Sequence, residues 1–347
     1  MMIRSRARWT ELGEKSTQYF LGLEKRNYKN KCITKLIKND FEITGAKEIL
    51  QEEVHFYQKL YSSKELDWDQ LIHENMAKAL LENPDMPKLK EIDKITCDNT
   101  ISDQECLNAL KLFKNGKSPG SDGFTAEFYK FFWSDIHEIV VNSLNHGFEK
   151  QKLSIDQCRG IISLIPKKDK SRTVLKNWRP LSLLNIDYKI LTKVLALRLQ
   201  KCLPDLVHED QVGYIRGRFI GENIRIISDI IQYYKNSNLS ALLLLIDFEK
   251  AFDTIEWSYI DKVLNAFNFG PVFRQWIQIL YKGASSCVIN NGYFSEFFTI
   301  SRGVRQGCPL APFLFVLAVE PLAIMIRSNT DIQGLNFGDQ EIKIRQL

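Results

Sequence analysis

Three acids crowd one short stretch of the chain. In "ALLLLIDFEKAFD" (241–253) an apolar run drives straight into Asp247, and Glu249 and Asp253 follow within six positions. A lone carboxylate at the end of a buried strand is costly unless it is paired or bound to a metal. One reading of Asp247 is therefore structural, as a helix N-cap or a salt-bridge partner. The other is chemical. Like charges in one turn repel without a cation, Phe248 and Phe252 flank the acids as a water-excluding wall would, and a strand running into a helix is a usual place for a site. Phe252 taken alone also reads as core.

Such a group needs rigid elements around it. The apolar run predicts a strand over 241–248, buried on both faces as central strands are. Helices are predicted at 255–267 and 271–282, then a hairpin at 285–300 around Asn291-Gly292. "GVRQGCPLAP" (303–312) reads as a turn opening a helix over 310–327, and 332–347 as a hairpin turning near Gly338-Asp339. Earlier in the chain, 9–31 reads as a helix with aromatic and basic residues interleaved, and 45–81 as helical. Pro84 and Pro87 mark 82–93 as a linker. Ser102 and Glu105 have capping-box spacing at the head of a helix over 102–113. A Gly/Pro/Ser/Asp loop (114–124) leads to a helix over 125–150. Strands are predicted at 160–168 and 177–185, and helices at 183–203, with Leu184, Tyr188, Leu191, Leu195 and Leu199 on one stripe, and at 221–235.

The 347 residues, 44% apolar and 26% charged, can build two or three domains with real cores. Seven Cys without a CxxC pair give neither a zinc-ligand spacing nor a disulfide framework, which points to a reducing compartment. The charged start lacks the apolar stretch of a signal peptide, and the apolar runs fall short of the ~20 residues that span a bilayer. The net charge of +5 hides an uneven distribution: 150–182 carries nine Lys/Arg against two Asp/Glu, and 1–40 ten against four. Basic segments of this kind suit phosphate contact, although a solvated surface has the same composition.

The motifs together resemble a family. "LLLLIDFEKAFD", followed by "GVRQGCPLAPFLFVLAVEPL" and preceded in order by "GKSPGSDGF", "LIPKKDK", "NWRPLSLLN" and "QVGYIRGR", is similar to the reverse transcriptase of LINE-type (non-LTR) retrotransposons. "RARWTELGEKSTQYFLGLEKR" resembles that family's N-terminal extension, so the likeness covers nearly the whole chain. A group II intron maturase-like enzyme shares the palm but is less similar at the N-terminal stretch and at "RQGCPLAP". The resemblance implies an α+β right-hand polymerase fold: a helical N-terminal extension (1–95), fingers and first palm helices (96–240) and a partial antiparallel palm (241–347), with the thumb absent.

It also implies roles. Asp247 is the catalytic, metal-binding aspartate, and the Phe248 carbonyl is a further metal ligand. Phe252 is the steric gate beneath the incoming sugar. Lys167, Lys168 and Arg179 hold the triphosphate, as a point charge and a planar fork both can. Gln306 and Gly307 pack against the incoming nucleotide, though an isolated Gln-Gly is also an ordinary turn. Lys117, Arg216 and Arg218 lie in loops that meet template and primer, and either loop is equally a plain surface turn. The implied cofactor is Mg²⁺, two ions in the complete enzyme. The implied partners are an RNA template, a DNA primer and dNTPs, with no membrane, in an intracellular ribonucleoprotein of cytoplasm and nucleus. The family's palm needs a second pair of aspartates in an aromatic-Ala-Asp-Asp hairpin, and this sequence contains no Asp-Asp dipeptide. It is therefore expected to carry one half of a two-metal site. The alternative expectation is a truncated, inactive copy that at most binds RNA.

Overall fold

The computed structural model describes residues 32–63, 70–240, 242–332, 334–337 and 340–342. The helix expected at 9–31 lies outside them. The chain falls into two compact units, neither continuous in sequence: residues 1–59, 161–182 and 286–298 form the first, and residues 60–160, 183–285 and 299–347 the second.

The first unit is built on a sheet. A hairpin of β1 (Leu36–Lys38) and β2 (Phe41–Ile43) turns on Asn39 and Asp40. Both turn residues have positive φ, which Asn and Asp tolerate. The sequence reading had no strand here. A second sheet has the order β4 (Trp178–Leu184), β3 (Arg159–Pro166), β5 (Ser285–Asn290), β6 (Tyr293–Phe294), with β7 (Phe298–Thr299) also on β5. The expected hairpin at 285–300 is present: Ile289 faces Phe294 and Asn290 faces Tyr293, across the positive-φ pair Asn291 and Gly292. Helix α1 (Ala46–Tyr61) supplies the buried Ile49, Glu53 and Tyr57.

The second unit is mostly helical: α2 (Gln70–Leu81), α3 (Glu91–Cys97), α4 (Asp103–Lys111), α5 (Ala126–Phe131), α6 (Trp133–Glu149), α7 (Ile155–Cys158), α8 (Ile186–Leu206), α9 (Ile220–Asn236), α10 (Trp257–Ala266), α11 (Pro271–Tyr281) and α12 (Ala311–Ser328), closed by a β8–β9 hairpin (Leu335–Phe337, Gln340–Ile342). The Ser102–Glu105 capping box forms as expected. The central helix α8 packs on α3, α4 and α12, and its Arg198 guanidinium is saturated. It donates to both Glu105 carboxylate oxygens (2.7 and 2.9 Å) and to the carbonyls of Cys97, Asn99 and Thr100. Helix α12 is, among the described residues, the one helix long and apolar enough to cross a membrane by length and composition. Its buried face, Phe313, Leu314, Val316, Leu317 and Ile324, belongs to the unit's core.

One expectation fails. Residues 242–248 are not a strand: they have no regular secondary structure, and Leu242 to Ile246 are all exposed, Leu242 by 89%. A strand exists only by pairing, and no strand among the described residues lies beside this segment. The preceding helix α9 likewise presents Ile220, Ile224 and Ile231 to solvent.

Candidate functional site

In the second unit, the turn after Asp247 and the "GVRQG" loop are bound to each other. Backbone donors of Gly303 and Val304 reach the carbonyls of Ile255 and Phe252, both at 2.7 Å. Gly303 has φ +87°, and a Cβ there would lie 2.7 Å from the Asp253 carbonyl oxygen, so this close approach requires glycine. The Trp257 indole N–H donates to the Gly303 carbonyl at 2.9 Å. The loop then turns through Gly307, which has φ +106°, into α12.

Aromatic side chains join the two segments. The Phe252 ring stacks on Phe315 of α12 at 4.9 Å, and Phe248 meets the same Phe315 edge-on at 6.5 Å. Tyr214, in the "QVGYIRGR" loop, approaches Phe252 edge-on at 6.5 Å. Phe248 and Phe252 thus both meet Phe315, with Tyr214 edge-on to Phe252. Asp247, which precedes Phe248 in the chain, is exposed. Neither Phe315 nor Tyr214 is marked by spacing in the sequence.

The three acids differ in their surroundings. Glu249 is exposed. Asp253 is only 1% exposed and is held by hydrogen bonds: the Tyr61 hydroxyl donates to Oδ1 at 2.9 Å, and the Gln306 amide Nε2 lies 3.1 Å from both oxygens. Burial of this carboxylate is offset by donors, as burial of a charge must be.

The loop around "SPGSDG" is held just as firmly. A Cβ on Gly120 would fall 2.0 Å from Asn185 Oδ1, so only glycine lets the loop lie against the end of β4. That same oxygen accepts from the Ser121 hydroxyl at 3.2 Å and the Asp122 N–H at 3.4 Å, while Asn185 Nδ2 donates to the Asp156 carbonyl. Lys117 stands exposed on this loop. Beneath it, burial raises the carboxyl pKa of Asp187 and that of Asp122, and lowers that of the Lys189 ammonium. Arg216 is exposed beside Gly217, which has φ +86°. Arg218 instead donates to the carbonyls of Val207, His208 and Gln211 and so shapes its own loop.

Lys167, Lys168 and Arg179 belong to the first unit. All three sit where β3 gives way to β4. The Lys167 N–H donates to the Asn177 carbonyl at 2.8 Å, which closes the connection two residues before Arg179. Trp178 beside it is buried, with its indole N–H on the Arg172 carbonyl at 2.9 Å. Lys168 and Arg179 are exposed, as are Lys170, Arg172 and Lys176 on the same connection.

Comparison with known proteins gives the family. Residues 165–341 match the family described as "Reverse transcriptase (RNA-dependent DNA polymerase)". The chain belongs to the reverse transcriptase family. Its relatives are named as proteins of transposons and retrotransposable elements. It is 34% identical over 343 residues to "Transposon TX1 uncharacterized 149 kDa protein" of Xenopus laevis, which covers 99% of this chain and 25% of that protein. It is 26% identical to "Retrovirus-related Pol polyprotein from type-1 retrotransposable element R2" of Popillia japonica, over 70% of this chain and 33% of the relative. It is 23% identical to "Putative 115 kDa protein in type-1 retrotransposable element R1DM" of Drosophila melanogaster, over 60% of this chain and 20% of the relative. This reverse transcriptase domain therefore spans a third or less of these curated relatives.

Reverse transcriptases work with divalent metal ions. The Asp247 carboxylate is exposed. Among the described residues no three His, Cys, Asp or Glu side chains gather to hold a metal, and Asp253 is turned towards Tyr61 and Gln306.

Proposed function

We propose that this chain is the nucleotide-selecting part of an RNA-directed DNA polymerase, acting on an RNA template, a DNA primer and dNTPs. The observation that carries the reading is the docking of the "RQG" loop on the turn that follows Asp247, through Val304 on Phe252 and Gln306 on Asp253. A polymerase must accept four bases with one set of contacts. The groups common to all four substrates are the triphosphate and the sugar, and the chain has a candidate for each. Lys167, Lys168 and Arg179 supply the cationic grip on phosphate oxygens. Phe252, held flat against Phe315, is a rigid ring of the kind that would collide with a 2′-hydroxyl. Gln306 and Gly307 bring side-chain amide and open backbone to the nucleotide. Lys117 and Arg216 are exposed cations for template or primer phosphates, while Arg218 supports the loop that carries Arg216.

Asp247, with the Phe248 carbonyl, is the chain's contribution to binding divalent cations, for which Mg²⁺ is the proposed ion. Such ions would supply the charge neutralisation on which phosphoryl transfer depends. The chain's own residues would bind phosphate and, through Phe252 stacked on Phe315, orient the sugar. The exposed run 242–246 favours a second statement about these 347 residues taken alone: they bind nucleic acid through basic segments but do not polymerise.

The test is RNA-templated primer extension by the complete product of the locus. It should extend the primer, and Asp247→Asn should abolish extension without unfolding the protein. Undiminished synthesis by Asp247→Asn would contradict the assignment.

A further inference from the structure

Two Asn-Gly dipeptides occur in this chain, Asn115-Gly116 and Asn291-Gly292. Such a pair can react with itself. The glycine nitrogen attacks the side-chain amide carbon of the asparagine, and a residue without a Cβ leaves that approach open. The two sites are held in different ways.

Asn115-Gly116 lies in the exposed loop between α4 and α5. Gly116 has φ +69°, and a Cβ placed on it would meet nothing within 4 Å. Its N–H donates to Glu127 Oε1. On the other reacting group, the Lys130 ammonium donates to Asn115 Oδ1 at 2.9 Å and to the Phe113 carbonyl at 2.5 Å. Glu127 and Lys130 are three residues apart on α5, so one helix face presents both. A carboxylate thus sits on the nitrogen that must lose a proton, and a cation sits on the oxygen that must gain charge. Those are the two demands of amide attack. The hydrogen bond from Gly116 holds the Glu127 carboxyl below its usual range, so it is ionised at neutral pH. Asn291-Gly292 is instead locked in the tight turn between β5 and β6, with positive φ at both residues. Its Nδ2 donates to the Ile33 carbonyl at 3.2 Å, and its Oδ1 has no donor among the described residues.

We propose that Asn115-Gly116 is a self-modifying site, at which Glu127 and Lys130 assist conversion of Asn115 to aspartate and isoaspartate. Glu127 takes the Gly116 N–H proton as the nitrogen bonds to Asn115 Cγ. Lys130 stabilises the charge that develops on Oδ1. The bond from Cγ to Nδ2 breaks, and ammonia leaves with the proton that Glu127 held. Water then opens the cyclic imide at one carbonyl or the other. The sum is one water consumed and one ammonia released, with no oxidation or reduction. The product adds a carboxylate between the exposed Lys114 and Lys117, and so removes part of that loop's positive charge.

The test follows both dipeptides in one sample. The 347-residue chain is incubated at neutral pH and digested with chymotrypsin, and the masses of peptides 114–124 and 282–293 report the two conversions. Positioned acid–base groups usually contribute more than a hundredfold, but a carboxylate held below its usual range is a weak base, so Asn115 should convert about tenfold faster than Asn291. In urea the two rates should converge, because only the fold separates them. Glu127→Gln keeps an acceptor for the Gly116 N–H and removes the charge, and Lys130→Met removes the cation from Oδ1. Each should bring the Asn115 rate towards that of Asn291, with the Asn291 rate and the circular dichroism unchanged. Equal rates at the two sites in the folded wild-type chain overturn the proposal. So does a folded Glu127→Gln chain in which Asn115 converts as fast as before, or faster, since the carboxylate would then be a clamp and not a base.

Discussion

Two segments read alike in the sequence and fold in opposite ways. "GIISLI" in β3 and "LLLLI" at 242–246 are both short apolar runs that predict a buried strand. β3 lies between β4 and β5, and its Ile162 is wholly buried. The run at 242–246 has no neighbour among the described residues and lies exposed along its length. An apolar run states what a segment requires, and only other segments can meet it. The β3 segment finds its partners within this chain. The segment that carries Asp247 does not find them among the described residues.

The largest expected contrast follows directly. Ile162→Ala removes a fully buried side chain and should cost about 3 kcal/mol of unfolding free energy. Leu244→Ala deletes a side chain already in water and should stay within about 0.5 kcal/mol of wild type. Urea denaturation of the two variants checks both. Equal losses would show that the 242–246 run is packed after all.

A second contrast concerns carboxylates. Asp247 is exposed, whereas Glu53 of α1 is fully buried, with Oε1 accepting from Asn290 Nδ2 at 2.8 Å. Burial pushes the Glu53 pKa up to about 8 from 4.5. Between those values the folded chain keeps a proton that the unfolded chain has released, so stability present below pH 4.5 is lost as pH rises towards 8. The expected slope is on the order of 1 kcal/mol per pH unit for this one proton. Glu53→Gln should flatten it in denaturation curves measured across that range. An unchanged slope would place the proton elsewhere.

Much of this was legible in the sequence. Local signals sufficed where they are self-contained: the Ser102–Glu105 capping box, the Asn291-Gly292 turn, and the long helices with an apolar stripe. The motif loops around Gly120 and Gly303 could be located, but not the reason for their glycines, which is close approach to Asn185 and to Asp253 respectively. Pairing across long separations was not legible. Asp253 reads in the sequence as one of three acids crowding a single turn. Its partners Tyr61 and Gln306 lie 192 and 53 positions away. The division into two discontinuous units, and the clamp of Arg198 on Glu105, are hidden for the same reason.

The apolar run that leads into Asp247 lies exposed and without a strand partner among the described residues. Amide hydrogen exchange over 242–248 in the 347-residue chain tests this most directly. Exchange close to unstructured rates is expected there, beside strong protection of Ile161 to Leu164 in β3. Protection of 242–248 as strong as that of β3 would contradict it.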